Sequence, residues 1–354
     1  MARAISSTLL IAQQGAKRKP YIRVIINGID YSGRVLFVEH HEEPYKEWAT
    51  IRLDNSDRAL NALATESSNL LGFSFRIGYG YVTEVANEYS ESADIWVKTQ
   101  TMVSRAGKLY CELFCTGQWT FLSEKSVMAL PIAAPTTFFI TDPANVGSDP
   151  TYSTTFEATK TVYQLIESLI EGAFGWTLNP LPAVDDTIIN SFSPVFSISK
   201  TPSAREVLMR LISMTRCYLR SKAGLIWEVI YPRIGDSVDE VFYSNELPYF
   251  IEYAEKLSLV IPNRIVVFAN NPDELAVWPT PVIVGDTGAY TGNYTEILEP
   301  ILAPTIITQA NATARATAVL ARYTAEEQSG YLIVSHDCRM EIYDKVLILD
   351  RRGL

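Results

Sequence analysis

The stretch Ser203-Ala-Arg-Glu-Val-Leu-Met-Arg-Leu-Ile-Ser-Met-Thr-Arg-Cys-Tyr-Leu-Arg-Ser-Lys-Ala-Gly-Leu-Ile-Trp-Glu-Val229 changes period half-way, and that change sets the architecture. Either Thr201-Pro202 or the capping-box pair Ser203 and Glu206 starts a helix. Its apolar stripe is Val207, Leu208, Leu211, Ile212 and Thr215, spaced by three and four. Directly after it, residues 217–222 and 225–231 flank Ala223-Gly224 and read as a β-hairpin. Upstream, Val162, Leu165, Ile166, Leu169, Ile170 and Ala173 form a second helical stripe, with Gly175 placed to stop it. Residues 131–154 are rich in Pro, Thr, Ala and Asp and read as a connector. Residues 131–232 are therefore a connector and a small α/β insert.

On either side the period is two. Residues 21–26 form a β-rich run, and Asn27-Gly28 is a strong two-residue hairpin signal before Ile29. Ser32-Gly33 turns the chain into 34–39. Residues 48–53 follow and end at the turn-prone Asp54-Asn55-Ser56-Asp57. Phe73, Phe75, Ile77 and Tyr79 alternate with Ser74, Arg76 and Gly78. Residues 94–103 and 108–116 flank Arg105-Ala106-Gly107. So many short strands between 21 and 130 predict a first β-barrel or sandwich. Residues 1–20 are polar, end in Lys17-Arg18-Lys19, and are expected to be a flexible arm. Downstream, residues 263–268, 282–284, 331–335 and 345–349 read as strands. An Ala- and Thr-rich helix spans most of 306–329, with Ala312, Ala316, Val319, Leu320 and Tyr323 on one face. Residues 233–354 are thus expected to be a second β-barrel domain with one helix. The fold class is mainly β with a smaller α/β part: two β-barrel domains bracketing a helix-hairpin insert.

Composition narrows the function classes. The 354 residues are 47% hydrophobic and 20% charged, which supports a packed core and excludes a disordered chain. Thirty basic against forty acidic residues leave a net charge of −10, a poor balance for gripping phosphates. The apolar run from Leu9 to Ala12 is too short for a secretory signal, and no segment approaches the ~20 apolar residues that span a bilayer. The expectation is a chain made in the cytoplasm that stays soluble or leaves without such a signal, with no stable membrane insertion.

Chemistry-bearing residues are few. His40 and His41 are adjacent, so a strand points them to opposite faces and they cannot chelate one metal together. His336 and Cys338 sit two apart on a strand, about 6.6 Å, too far for a thiolate–imidazole pair. Neither pair is expected to bind a metal unless a distant part of the chain completes the site. Glu42-Glu43 and Asp185-Asp186 lie beside turns and read as solvated. Cys111 and Cys115 share a strand face about 13 Å apart and cannot bridge each other; with Cys217 and Cys338 they read as buried thiols. Gly78-Tyr79-Gly80 lies in a strand and opens no helix, and neither a Walker lysine nor the hydrolase or zinc-protease motifs occur. No catalytic residue, cofactor or metal is assigned.

The order of parts resembles the hub proteins of phage tails and related contractile injection machines, a family of baseplate hubs, late control D proteins and the hub portion of type VI spike proteins. Three stretches carry the resemblance: Tyr21-Ile-Arg-Val-Ile-Ile-Asn-Gly-Ile-Asp30; the two central helices with the hairpin after the second; and the late helix from Thr308 followed by Asp344-Lys-Val-Leu-Ile348, which fits the family's strand-opening aspartate. The resemblance spans roughly residues 20 to 350. It implies two related tail-tube-like barrels, a homotrimer whose six barrels ring a lumen for DNA passage, and a virion location after assembly in the host cytoplasm. Implied partners are the tail tube protein, distal tail or baseplate proteins and a central spike or tip protein, with DNA only in transit. An acidic lumen would repel phosphate and keep DNA moving.

The strand residues expected at assembly interfaces are Phe73, Phe75, Ile77 and Tyr79, and Lys345, Val346, Leu347, Ile348 and Leu349. The last five leave an apolar strand with no following partner, since only a turn and Leu354 remain. The alternatives are a β-rich surface-binding or distal-tail module and a peptidoglycan-degrading enzyme.

Overall fold

The computed structural model describes residues 3–15, 17–61, 68–125, 140–141, 154–155, 160–182, 186–194, 197–198, 203–233, 235–269, 282–284, 295, 297–303, 309–325 and 327–352. Most of the connector expected at 131–154, and Gly353 and Leu354, lie outside those residues.

The first third holds helix α1 (Ser7–Gln14), strands β1 (Pro20–Ile26), β2 (Ile29–Asp30), β3 (Val35–Glu43), β4 (Lys46–Asp54), β5 (Ser74–Phe75), β6 (Ile77–Val82), β7 (Asn87–Glu91), β8 (Ile95–Arg105) and β9 (Lys108–Gly117), and helix α2 (Gln118–Ser123). The strands form a four-stranded sheet, β2-β1-β6-β7, and a five-stranded sheet, β3-β4-β9-β8-β5, curled into a half-barrel. Asn27 and Gly28 take φ of 51° and 75°, the left-handed pair that a two-residue hairpin needs. The apolar alternation from Phe73 to Tyr79 crosses from one sheet to the other at Arg76: Phe75 pairs with Ile95, and Ile77 with Val24. Both side chains point inward, into a core with Val24, Ile26, Ile51, Leu53, Ile95, Val97, Cys111, Leu113 and Cys115. The four cysteines are buried and free.

Residues 7–14 are a helix rather than the flexible arm expected of 1–20. Ser6 caps it through the Leu9 amide, and buried Leu9 packs with Tyr81 and Cys338. Those contacts tie the N-terminus to the last twenty residues.

The middle contains β10 (Ile140–Thr141), β11 (Thr154–Thr155), α3 (Val162–Glu167), β12 (Thr177–Leu178), α4 (Thr187–Ser191), β13 (Ser197–Ile198), α5 (Ala204–Ile212), β14 (Tyr218–Lys222) and β15 (Ile226–Ile230). The Ser203/Glu206 capping box forms with both of its hydrogen bonds. The stripe on 162–173 is one helix with a wider final turn, since Ser168–Ala173 is π-helical. Gly175 follows at φ +66°.

The last third has β16 (Glu240–Tyr243), β17 (Phe250–Leu257), β18 (Arg264–Ala269), β19 (Val282–Val284), β20 (Leu298–Ala303), α6 (Gln309–Ala325), β21 (Gln328–Val334) and β22 (Val346–Leu349). Among the described residues these strands form three small sheets, β16-β22, β17-β21 and β19-β18-β20, rather than one closed barrel. The reason lies in the core. Ile265 and Val267 of β18 and Ala312, Ala316 and Leu320 of α6 pack into the same cluster as Trp119, Val162, Leu208 and Trp227. One core therefore runs across the expected boundary at 232/233.

Candidate functional site

A cavity of about 870 Å³ opens where the half-barrel meets the C-terminal segment. Strand alternation puts Val38, His40 and Glu42 of β3 on its wall, and Tyr79 and Tyr81 of β6 face them. Leu332 to Asp337 close another side, and Arg3 and Arg18 supply cations.

The hairpin between β3 and β4 turns through Pro44 and Tyr45, with Tyr45 at φ +62°. The register that follows sets Glu42 directly opposite Glu47, and Glu43 opposite Lys46. His40, two residues before Glu42, shares its face. The Tyr79 hydroxyl lies 2.9 Å from His40 Nδ1, and His40 Nε2 lies 3.1 Å from Glu47 Oε1. With the ring proton on Nε2, His40 donates to Glu47 and accepts from Tyr79, a tautomer assigned from these partners. Glu42 Oε1 stands 3.8 Å from both His40 Nδ1 and an Arg3 nitrogen. Arg3 has a closer partner, donating from Nε to Glu341 Oε1 at 2.8 Å.

Burial sets the electrostatics. Glu47 is 4% exposed, and loss of solvent holds its carboxyl above the usual range, against the pull of His40. Its Oε2 has no hydrogen-bond partner and lies against Gly117, where a Cβ would come within 2.0 Å of that oxygen. Burial also raises Tyr79, so its phenol stays neutral. His336 keeps some exposed surface at the cavity, but desolvation by the surrounding protein and the Arg3 charge lower it to about 4. Its ring stands 4.7 Å from that of Tyr79. Cys338, beyond it, is buried and pushed up to about 12, so it is not a thiolate. Ligand atoms of His40, Glu42 and Glu47 all fall within 4.8 Å of one another, which makes this the group able to hold a metal among the described residues.

The residues expected at assembly interfaces are divided by the structure. Phe75 and Ile77 are core residues and present no surface to a neighbour. Phe73 is exposed beside β5, and Tyr79 lines the cavity. Lys345 is tethered: its amide donates to Asp239 and its Nζ to the Asp236 carbonyl. Val346, Leu347 and Leu349 are exposed and Ile348 is half-buried. Strand β22 pairs in parallel with β16 along one edge. Its other edge has no strand partner among the described residues. A second apolar surface escaped the sequence reading: Ile251, Leu257, Leu259, Ile261 and Tyr331 on and beside the β17-β21 ribbon are at least 46% exposed. Glu47 was also missed, although counting back from the Pro44/Tyr45 turn would have set it opposite Glu42.

No family model matches the chain, and no curated protein matches it in sequence. Solved structures do. The tail protein from Neisseria meningitidis MC58 superposes at a TM-score of 0.60, covering 95% of this chain and 88% of that one at 10% identity. The 43 kDa tail protein of prophage MuSo2 from Shewanella oneidensis gives 0.58, with 95% and 91% covered at 13% identity. The chain has the fold of phage tail proteins. The prophage tail protein gp18 from Listeria monocytogenes EGD-e shares this tail-protein fold at 0.50, with 93% and 84% covered and 10% identity. That agrees with the resemblance read from the order of elements. Within the tail-protein fold, the half-barrel carries the polar cavity and the last third carries the exposed apolar strands.

Proposed function

We propose that the chain is a structural hub of a phage-type tail, joining the tail tube to the baseplate or tail tip as a homotrimeric ring around a lumen. The observation behind this reading is the shared fold over 95% of the chain with two tail proteins that are themselves covered to 88% and 91%. The exposed apolar ribbon and the open edge of β22 support it, because strands with unpaired edges invite strands from neighbours. The net charge of −10 suits a conduit that DNA traverses without binding. In this reading the partners are the tail tube protein, distal tail or baseplate proteins and a central spike or tip protein. The second barrel closes on assembly, with a strand from outside these residues completing β22. The protein resides in the virion after assembly in the host cytoplasm and performs no catalytic step.

Native mass measurement with the adjoining tail proteins present tests the reading. It expects three 39.6 kDa chains per ring. A persistent monomer in that mixture overturns it.

A further inference from the structure

We propose that His40, Glu42 and Glu47 bind one divalent first-row transition ion of the zinc class, entering from the adjoining cavity. The sequence alone argues against a metal here, because only His41 stands beside His40. The structure removes His41 from the question: its ring stacks on Trp48 at 4.0 Å and its Nε2 is 3.1 Å from Glu39. Glu47 arrives from the facing strand instead. It lies directly opposite Glu42, an arrangement of like charges that destabilises a sheet unless a cation or a proton lies between them. The nearby cation, Arg3, is committed to Glu341 and only reaches 3.8 Å from Glu42.

The donor set and spacing suit the ion. One imidazole and two carboxylates are zinc ligands, with bonds of about 2.0–2.2 Å, so two ligands at a tetrahedral angle stand about 3.4 Å apart. His40 Nε2 and Glu47 Oε1 are 3.1 Å apart. Glu42, whose side chain is 28% exposed, offers a ligand atom within 4.8 Å of those of His40 and Glu47. Tyr79 supplies the outer support: with a metal on Nε2, His40 carries its proton on Nδ1 and donates it to the Tyr79 oxygen 2.9 Å away. The second oxygen of Glu47, enclosed and without a donor, is the buried acceptor that such an ion satisfies. Water from the cavity completes the coordination.

The test is a titration of the chelator-treated full chain with Zn²⁺ alone, read by calorimetry and by elemental analysis after gel filtration. The expected result is one zinc per chain and a thermal midpoint that rises on loading. Glu42→Gln, at a partly exposed position that leaves the fold intact, weakens binding at least tenfold. Glu47→Gln keeps the contact to His40 and weakens it likewise, and His41→Ala leaves it unchanged. Absence of stoichiometric zinc in the parent chain overturns the proposal. So does zinc retained with undiminished affinity in Glu42→Gln, or lost in His41→Ala.

Discussion

The first and last thirds of this chain are both rich in short strands, yet they are built on opposite plans. In the half-barrel, neighbours in sequence are mostly neighbours in space: β3 pairs with β4, β6 with β7 and β8 with β9. Its core draws only on residues before α2. In the last third, β16 waits for β22 a hundred residues later, and β17 for β21 across an intervening sheet and helix. The apolar residues of β18 and α6 join the middle of the chain, while Ile251 and Leu257 of β17, and Leu259 and Ile261 beside it, face outward. One region keeps its core to itself, and the other shares its core with the middle of the chain.

The sharpest way to break that contrast is at Trp227, fully buried and edge-on to Trp119 at 4.8 Å between ring centres. Trp227→Ala is expected to cost about 3–5 kcal/mol. Hydrogen exchange should then rise together in α5, β15, β18 and α6. Protection retained in α6 would show that the shared core is not one cooperative unit. Ile77→Ala, in the other core, is expected to cost about 2–5 kcal/mol, loosening β1, β6 and β9 while α6 keeps its protection. Exchange spreading to α6 would erase the distinction between the two regions.

A smaller effect separates local from tertiary stabilisation. Ser203→Ala removes one half of the capping box and should cost about 1 kcal/mol in chemical denaturation. Smaller still on stability, within about 0.5 kcal/mol, is the pair Ile251→Lys and Leu257→Lys on the exposed side of β17. That pair should abolish trimer formation if the ribbon is an assembly surface, and a trimer of unchanged mass would remove it from the interface.

The least effect is expected with pH. His336 titrates near 4 when folded and near about 6.5 in the unfolded chain, so between those values the unfolded state binds more protons. Stability should fall as pH drops from about 6.5 toward 4, gently, because solvent reaches part of the residue. His336→Asn should flatten the slope in thermal melts across that range.

How much of this was legible follows the same division. Asn27-Gly28, the Ser203/Glu206 box, Gly175 and the hairpin of β14 and β15 are local devices, and each stands where its residues place it. Phe75 and Ile77 have the alternation of an exposed-edge strand, but the chain changes sheets at Arg76, and periodicity does not report a corner. Helix α1 has only a short apolar run, and its anchor, Leu9, finds partners supplied partly by Cys338. Long-range pairs of that kind leave no trace in a local window. The site was hidden for a related reason. His40 and Glu42 are visible as strand neighbours, but Glu47 joins them only once the register across Pro44 and Tyr45 is counted.

The joining of residues 3–9 to residues 338–341 has a consequence for how the protein is made. Arg3 meets the carbonyl of Arg339 and the carboxylate of Glu341, and Leu9 meets Cys338. On a ribosome adding about 5–20 residues per second, the first of these side chains emerges roughly 17–70 s before its partner exists. Throughout that interval Leu9 lacks Cys338 and packs only against its own helix and strand β6, and the cavity lacks its wall from Leu332 to Asp337. The half-barrel can condense early around its local hairpins, but the polar cavity and its carboxylates can take their final form only once residues 332–341 have been made.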